Sequence, residues 1–355
     1  MTSQDITQEL QARVASALQN NTPLCIQGGG SKSFYGRFPT GDILDTSKHS
    51  GIIHYEPSEL VITARAGTPL SVIETALVKH HQILPFDPPH FSDTATIGGT
   101  IACNLSGPRR AYTGAARDFV LGCKIINGKG EVISFGGEVI KNVAGYDVSR
   151  LMTGALGTLG VLLEVSLKVI PKTESEITLT IEHELARSLN KIHRLASIDL
   201  PISASCYDGI HSYLRLSGSE GAVRYAQQVI GGNELSSADS FWQKIKEHRH
   251  GFFNSDKPLW RLSVASDTQP IGITGKWFYE WGGALRWLTS DAPVNVVQDA
   301  AQSAGGHATL YRGTDAMRND CFQPLSPALH TLHKKLKHAF DPQGIFNPGR
   351  MYADL

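Results

Sequence analysis

Residues 93–118 read D-T-A-T-I-G-G-T-I-A-C-N-L-S-G-P-R-R-A-Y-T-G-A-A-R-D, and residues 142–169 read N-V-A-G-Y-D-V-S-R-L-M-T-G-A-L-G-T-L-G-V-L-L-E-V-S-L-K-V, with Pro171 close behind. Glycines recur at 98, 99, 107, 114, 145, 154, 157 and 160, but small apolar residues surround them, which is not the composition of a flexible linker. A residue without Cβ lets backbone approach a ligand closely. Such glycines, mixed with Thr, Ser and Asn inside what reads as buried strand, predict a wall against which a large flat cofactor lies. The alternative is a set of tight turns in an ordinary α/β domain.

Upstream, the apolar stretch P-L-C-I at 23–26 runs into Gln27, Gly28, Gly29, Gly30, Ser31, Lys32 and Ser33. Successive backbone N–H groups unshielded by bulky side chains form a nest that binds phosphate oxygens. The run is not G-x-G-x-x-G and follows a helix–strand start, so a Rossmann unit explains it less well. Lys32 either adds charge near phosphates or is a solvated surface lysine. Prolines stiffen L-P-F-D-P-P at 84–89, which would hold a ring-contacting edge at Pro88 or merely connect two elements.

Together these segments resemble the FAD-binding domain of the vanillyl-alcohol oxidase/p-cresol methylhydroxylase flavoproteins. The likeness covers the first half of the chain and the terminal D-P-Q-G-I-F-N-P-G-R at 341–350. Within that family it is strongest to the FAD-binding subunits of bacterial glycolate oxidases. The resemblance implies an α+β fold: a two-subdomain FAD-binding domain at 1–172, a smaller ferredoxin-like α+β cap at 173–324, and a helix with a return segment at 325–355 packing on the first domain. It also implies that the loop at 27–33 cradles the FAD pyrophosphate. A-T-I-G-G-T-I-A and the residues after it would face the flavin and ribityl chain through Thr96, Ile97, Gly98, Gly99, Asn104, Ser106 and Arg109. Tyr112, Gly114, Arg117 and Asp118 match the stretch closing that motif, with Arg117 and Asp118 expected as a buried structural pair. V-A-G-Y-D at 143–147 and L-G-T-L-G-V at 156–161 match two further elements, Val161 meeting the adenine with its backbone and Gly160 a further cofactor-binding residue. Asn347 would contact the flavin on the C-terminal return. Family members that bond FAD covalently here use a histidine; S-K-S at 31–33 has none, so FAD should be held non-covalently.

Composition narrows the function classes. The 355 residues suffice for two domains, and 41% hydrophobic with 19% charged residues is ordinary globular composition. With 33 basic and 33 acidic residues the formal net charge is zero, which gives no nucleic-acid footprint. No apolar run approaches a membrane span, and M-T-S-Q-D-I-T-Q-E-L lacks the parts of a secretory signal. A cytoplasmic protein is expected, with attachment to the cytoplasmic face of the inner membrane arising only through partners. Five cysteines, never spaced C-x-x-C, predict neither disulfide framework nor iron–sulfur cluster nor zinc site. Electrons accepted by a flavin here would therefore leave to oxygen, a diffusible acceptor or another subunit.

Apolar periodicity predicts a helix through Ile6, Leu10, Val14 and Leu18, strands at 24–26 and 60–64, and a helix through Leu70, Ile73 and Leu77 capped by Thr68 and Pro69. N-G-K-G at 127–130 predicts a hairpin between 120–126 and 131–135. Beyond Pro171 the expected strands are 204–216, 259–265, 276–289 and 308–312, with helices at 220–230, 240–248 and 294–303. The helix at 325–340 carries Lys334, Lys335 and Lys337 on what reads as a solvated face.

Catalytic residues are not legible. Related 2-hydroxy-acid dehydrogenases carry a histidine-rich metal site in the cap, including H-x-G-D; here A-G-G-H-A-T at 304–309 lacks the Gly-Asp, and neither His248 with His250 nor His330 with His333 has an evident partnering carboxylate. No metal is expected. Arg109, Arg110 and Arg312 could hold a carboxylate, and Trp277, Tyr279 and Trp281 could wall a pocket or simply pack. Three readings stand. The resemblance implies an FAD-binding subunit of a complex oxidising glycolate or a similar 2-hydroxy acid to glyoxylate, with electron transfer to a second FAD-containing catalytic subunit and an iron–sulfur subunit. The others are a stand-alone FAD-dependent hydroxy-acid or alcohol oxidoreductase, and a non-catalytic flavin-fold assembly module.

Overall fold

The computed structural model describes residues 3–137 and 147–355; the V-A-G-Y part of the motif at 143–147 lies outside them. Two compact units emerge: residues 1–105, 115–171 and 324–355 form one, and residues 106–114 with 172–323 form the other.

The first unit opens with the helix Thr7–Asn20, which buries Leu10, Val14 and Ala17 on one stripe and stops at Asn21 in the left-handed conformation. β1 (Leu24–Gln27) then pairs in parallel with β2 (Asp42–Asp45). β3 (Ile52–Glu56), β4 (Val61–Arg65), β6 (Val120–Ile126), β7 (Val132–Gly136) and β8 (Val161–Lys168) make an antiparallel sheet ordered β3-β4-β8-β6-β7, while β5 (Gln82–Ile83) pairs with β9 (Ile170–Pro171). The hairpin at 127–130 joins β6 to β7 as its Asn-Gly predicts. β8 is buried on both faces: Val161 and Leu163 pack with Leu24, Leu44 and Phe346, whereas Val165 and Leu167 join Leu70, Ile73, Phe86 and Ile97. Thr68 does not cap the helix Leu70–Val78; Pro69 occupies that position and the Thr68 hydroxyl donates to the Arg65 carbonyl at 2.6 Å.

The glycine-rich core of the opening motif is not strand. Ile97–Cys103 is a helix whose N-cap, Thr96, accepts a hydrogen bond from the Gly99 N–H at 3.2 Å. Alternating β-branched residues suggest strand, but Ile97, Thr100 and Ile101 fall on one helical stripe and are buried together. Burial of that stripe outweighs the roughly 1 kcal/mol that each helical glycine costs.

In the second unit, β10 (Ser175–Glu182), β11 (Ile202–Tyr207), β12 (His211–Gly218) and β13 (Asn233–Glu234) precede β14 (Leu259–Ser263), β15 (Lys276–Glu280), β16 (Leu285–Thr289) and β17 (His307–Arg312). The eight strands are ordered β13-β10-β12-β11-β15-β16-β14-β17. Each half has the order of a split βαβ unit, so the ferredoxin-like pattern occurs twice, joined where Cys206 and Tyr207 face Glu280 and Tyr279. The first half carries the helices Leu185–Ala196 and Glu220–Ile230; the second keeps only Val294–Ser303, residues 264–275 being irregular. The single strands expected at 204–216 and 276–289 are each two strands, broken at Asp208-Gly209 and at Gly282-Gly283.

Two charge assignments change. Arg117 and Asp118 are not a buried pair: their side chains are 61% and 46% exposed. Lys337 is not solvated; its ammonium donates to Asp341 and to the carbonyls of Thr158 and Phe346, at 2.7, 2.8 and 2.7 Å. His330 does have a carboxylate, Asp354, at 3.1 Å. Among the described residues no helix is long and apolar enough to cross a membrane.

His49 is fully buried and accepts a hydrogen bond from the Ile6 N–H at Nδ1, 3.2 Å. Burial penalises the imidazolium and lowers its pKa. Below about pH 6.5 the unfolded chain takes up a proton that the folded chain refuses, so stability falls as pH drops. Thermal melts should show a lower midpoint at pH 5 than at pH 7, and His49→Asn, which keeps an acceptor near Nδ1 but does not titrate, should flatten that dependence. Equal slopes would remove His49 from the account.

Candidate functional site

A cleft with about 880 Å³ of empty space, part of it open to solvent, lies within the first unit. Its walls come from the end of β1 and the loop after it, the start of the helix Ile97–Cys103, the turn before β8, and the C-terminal return. Close backbone approach makes this possible. A Cβ on Gly29 would sit 1.5 Å from the Thr94 carbonyl oxygen, and one on Gly98 would sit 2.6 Å from the Ala66 Cβ. Neither position accepts a side chain, so both leave bare backbone facing the cleft.

Asn347 fixes the return. Its Oδ1 accepts from the Ile26 N–H at 2.7 Å, its Nδ2 donates to the Leu156 carbonyl at 2.7 Å, and its own N–H reaches the Leu24 carbonyl at 2.9 Å. One side chain thus joins the strand that feeds the glycine loop to the turn preceding β8. Arg350 does the same for the outer wall, donating to the carbonyls of Arg37 at 2.8 Å and Tyr35 at 2.6 Å.

The described lining contains two cations, Lys32 and Arg350, and no carboxylate. Lys32 is only 5% exposed, which excludes the solvated reading, and its ammonium donates to the Ser31 hydroxyl at 3.2 Å. The Cys103 thiol also lines the cleft; burial pushes its pKa up against the pull of Lys32 and Arg350. Next to it in sequence, Asn104 Oδ1 is buried without a hydrogen-bond partner among the described residues. Exposed backbone amides, the positive charges of Lys32 and Arg350 and an apolar floor of Ile26, Leu156 and Leu162 fit a dinucleotide bearing a pyrophosphate and a flat ring.

Of the residues singled out from sequence, Gln27, Gly28, Gly29, Gly30, Ser31, Lys32, Ser33, Thr96, Gly98, Gly99, Gly160 and Asn347 line this cleft. Pro88, Ile97, Asn104 and Val161 belong to the same unit but not to the lining; Ile97 and Val161 are core residues. Ser106, Arg109 and Tyr112 group with the second unit. There Arg109 pairs with Glu176 at 2.6 Å, and the Tyr112 hydroxyl donates to Ser205 at 2.7 Å, its pKa pushed up to about 12 by burial. Sequence reading missed Cys25, Thr46, Ala66, Cys103 and Arg350 as lining residues; for Arg350 the signal was its place in N-P-G-R. Among the described residues no group of three or more His, Cys, Asp or Glu side chains is placed to hold a metal.

A family model described as an FAD binding domain matches residues 5–136. The structure of p-cresol methylhydroxylase with substrate bound superposes with a TM-score of 0.74 at 15% identity, covering 99% of this chain and 88% of that one. A 4-ethylphenol oxidase from Gulosibacter chungangensis gives 0.72 at 13% identity, covering 98% and 88%; both likenesses show the fold. With these matches the class follows: the chain carries an FAD-binding domain with the p-cresol methylhydroxylase type of fold. Glycolate oxidase subunit GlcE of Escherichia coli (strain K12) is 48% identical over 351 residues, 99% of each chain. The protein belongs to the GlcE family of glycolate oxidase subunits. D-lactate dehydrogenase of Anaerostipes hadrus is 32% identical over 184 residues, 50% of this chain and 38% of that protein, so this chain matches well under half of that relative's length.

Lys32→Met keeps the aliphatic stem and removes the charge. It should weaken FAD binding by about 10- to 100-fold, the worth of a charge-assisted hydrogen bond, with little change in unfolding midpoint. Fluorescence titration of the apoprotein with FAD measures this, and unaltered affinity would take Lys32 out of the cofactor site.

Proposed function

We propose that this chain is the FAD-binding subunit of a complex that oxidises glycolate, or a similarly short 2-hydroxy acid, to glyoxylate. The end-to-end 48% identity to glycolate oxidase subunit GlcE carries the reading, and a cleft lined by cations and bare backbone supports it. Bound FAD supplies acceptance of the hydride from C2, while the hydroxyl proton leaves to a base. The chain's own contribution is to grip the cofactor without a covalent bond. Residues 27–33, with Lys32 and Arg350, would hold the pyrophosphate; Thr96, Gly98, Gly99 and Gly160 would face the ring system and ribityl chain.

The domain assignment belongs to the same proposal: residues 1–172 and 325–355 serve the cofactor, and 173–324 form the cap. Electrons would pass to partner subunits, a second FAD-containing catalytic subunit and an iron–sulfur subunit, and any membrane attachment would come through them. Five cysteines that remain single thiols support an acceptor outside this polypeptide.

Co-expression with its partner subunits should give a yellow complex whose flavin absorbance bleaches on adding glycolate, while the isolated chain keeps its spectrum. Rapid dye-linked turnover of glycolate by the isolated chain would contradict this assignment in favour of a stand-alone oxidoreductase.

A further inference from the structure

A surface helix of a soluble domain turns its apolar stripe to the core and its charges to water. The helix Pro327–Phe340 does the reverse, and none of its residues is buried. Its polar side chains are what bind it to the first unit. Lys337 does so through the three bonds given above, and His330 and Lys334 through Asp354 at 3.1 and 2.7 Å. The His333 ring meets Tyr352 edge-on with centroids 6.3 Å apart, and Phe340, in the last turn, packs against the core.

The leucines are turned away from these contacts. At 3.6 residues per turn, Leu329, Leu332, Leu336 and Ala339 share an arc of roughly 80°. Leu329 and Leu332 are 49% and 50% exposed, Ala339 is exposed and Leu336 half-buried. Their spacing of three, four and three residues is that of the a and d positions in a helix–helix seam, so a second helix fits the stripe. The helix is already formed and anchored, so it loses little freedom on docking.

Charge decides which helix. Residues 327–340 carry Lys334, Lys335, Lys337 and three histidines, with no carboxylate. Pairing with a second copy would set two such cationic helices side by side, and like charges across a seam repel. Lys335 stands at the edge of the stripe and forms no ion pair among the described residues. A helix with Asp or Glu flanking its apolar seam complements it.

We propose that the leucine stripe of the helix Pro327–Phe340 docks an amphipathic, acid-flanked helix of a partner subunit. The inference rests on the reading of this chain as one subunit of a complex, and deepens it by locating the contact. The partner takes Leu329, Leu332 and Leu336 out of water, and its carboxylates meet Lys335.

The test is co-expression of the tagged full chain with the second FAD-containing subunit and the iron–sulfur subunit, followed by quantification of the partners retained on purification. Retention should fall at least tenfold in Leu332→Glu and in Leu329→Glu, and by a smaller factor in Lys335→Glu. It should be unchanged in Val78→Glu, which alters a 65%-exposed apolar residue on another helix of the same unit. FAD content and the melting midpoint of the isolated chain should not move in any of them. Should Leu332→Glu not accumulate, Leu332→Gln decides. Undiminished retention in the leucine variants, an equal loss in Val78→Glu, or a wild-type chain that retains neither partner overturns the surface. So does a lowered midpoint in Leu332→Glu, which would place that leucine within the chain's own packing. An isolated chain that is dimeric by light scattering and monomeric as Leu332→Glu overturns it in favour of a second copy. Failure of the glycolate-oxidising reading would instead appear as an assembled complex whose flavin glycolate does not bleach, while the leucine variants still lose the partners.

Discussion

The contact between the loop at 28–30 and the segment at 94–99 sets the terms for the first unit. The two backbones meet so closely at Gly29 and Thr94 that a β-carbon has no room, and the helix Ile97–Cys103 presses onto Ala66 in the same way through Gly98. Close packing of this sort excludes side chains from the cleft and leaves backbone amides as its chemistry. A phosphate-bearing cofactor suits such a surface, because amide dipoles and the Lys32 charge need no rearrangement to meet an anion.

What keeps the two walls in register is the far end of the chain. Asp341 is buried and joined to Lys337, and its two oxygens accept the Ile345 and Phe346 N–H groups at 3.1 and 2.8 Å. Breaking such a buried pair by removing one partner costs about 3–5 kcal/mol. The network turns the chain so that Phe346 enters the core beside Leu24 and Asn347 reaches both walls. The C-terminal ten residues are therefore structural to the cleft as much as part of its lining.

Legibility in the sequence followed locality. The triple-glycine loop, the hairpin at 127–130 and the first helix could be read because turn chemistry and apolar period are local signals. The helix at 97–103 could not, since two glycines and β-branched neighbours argue against it and only burial of Ile97, Thr100 and Ile101 decides it. Lys337 looked like one of three solvated lysines because its partners lie at Thr158, Asp341 and Phe346, brought together by folding. Arg109 and Tyr112 were read by motif as cofactor contacts, but their side chains hydrogen-bond to Glu176 and Ser205, more than sixty positions away. The doubled split βαβ unit was half legible: its helices show, whereas short strands separated by Asp-Gly and Gly-Gly run together on a hydropathy reading.

The most direct measurement compares FAD with riboflavin as ligands for the apoprotein, by flavin fluorescence at equal ionic strength. If the glycine loop and its cations grip the pyrophosphate, FAD binds far more tightly than riboflavin, and the gap narrows in high salt. Equal affinities, or no binding of either by a folded chain, would contradict the account at its centre.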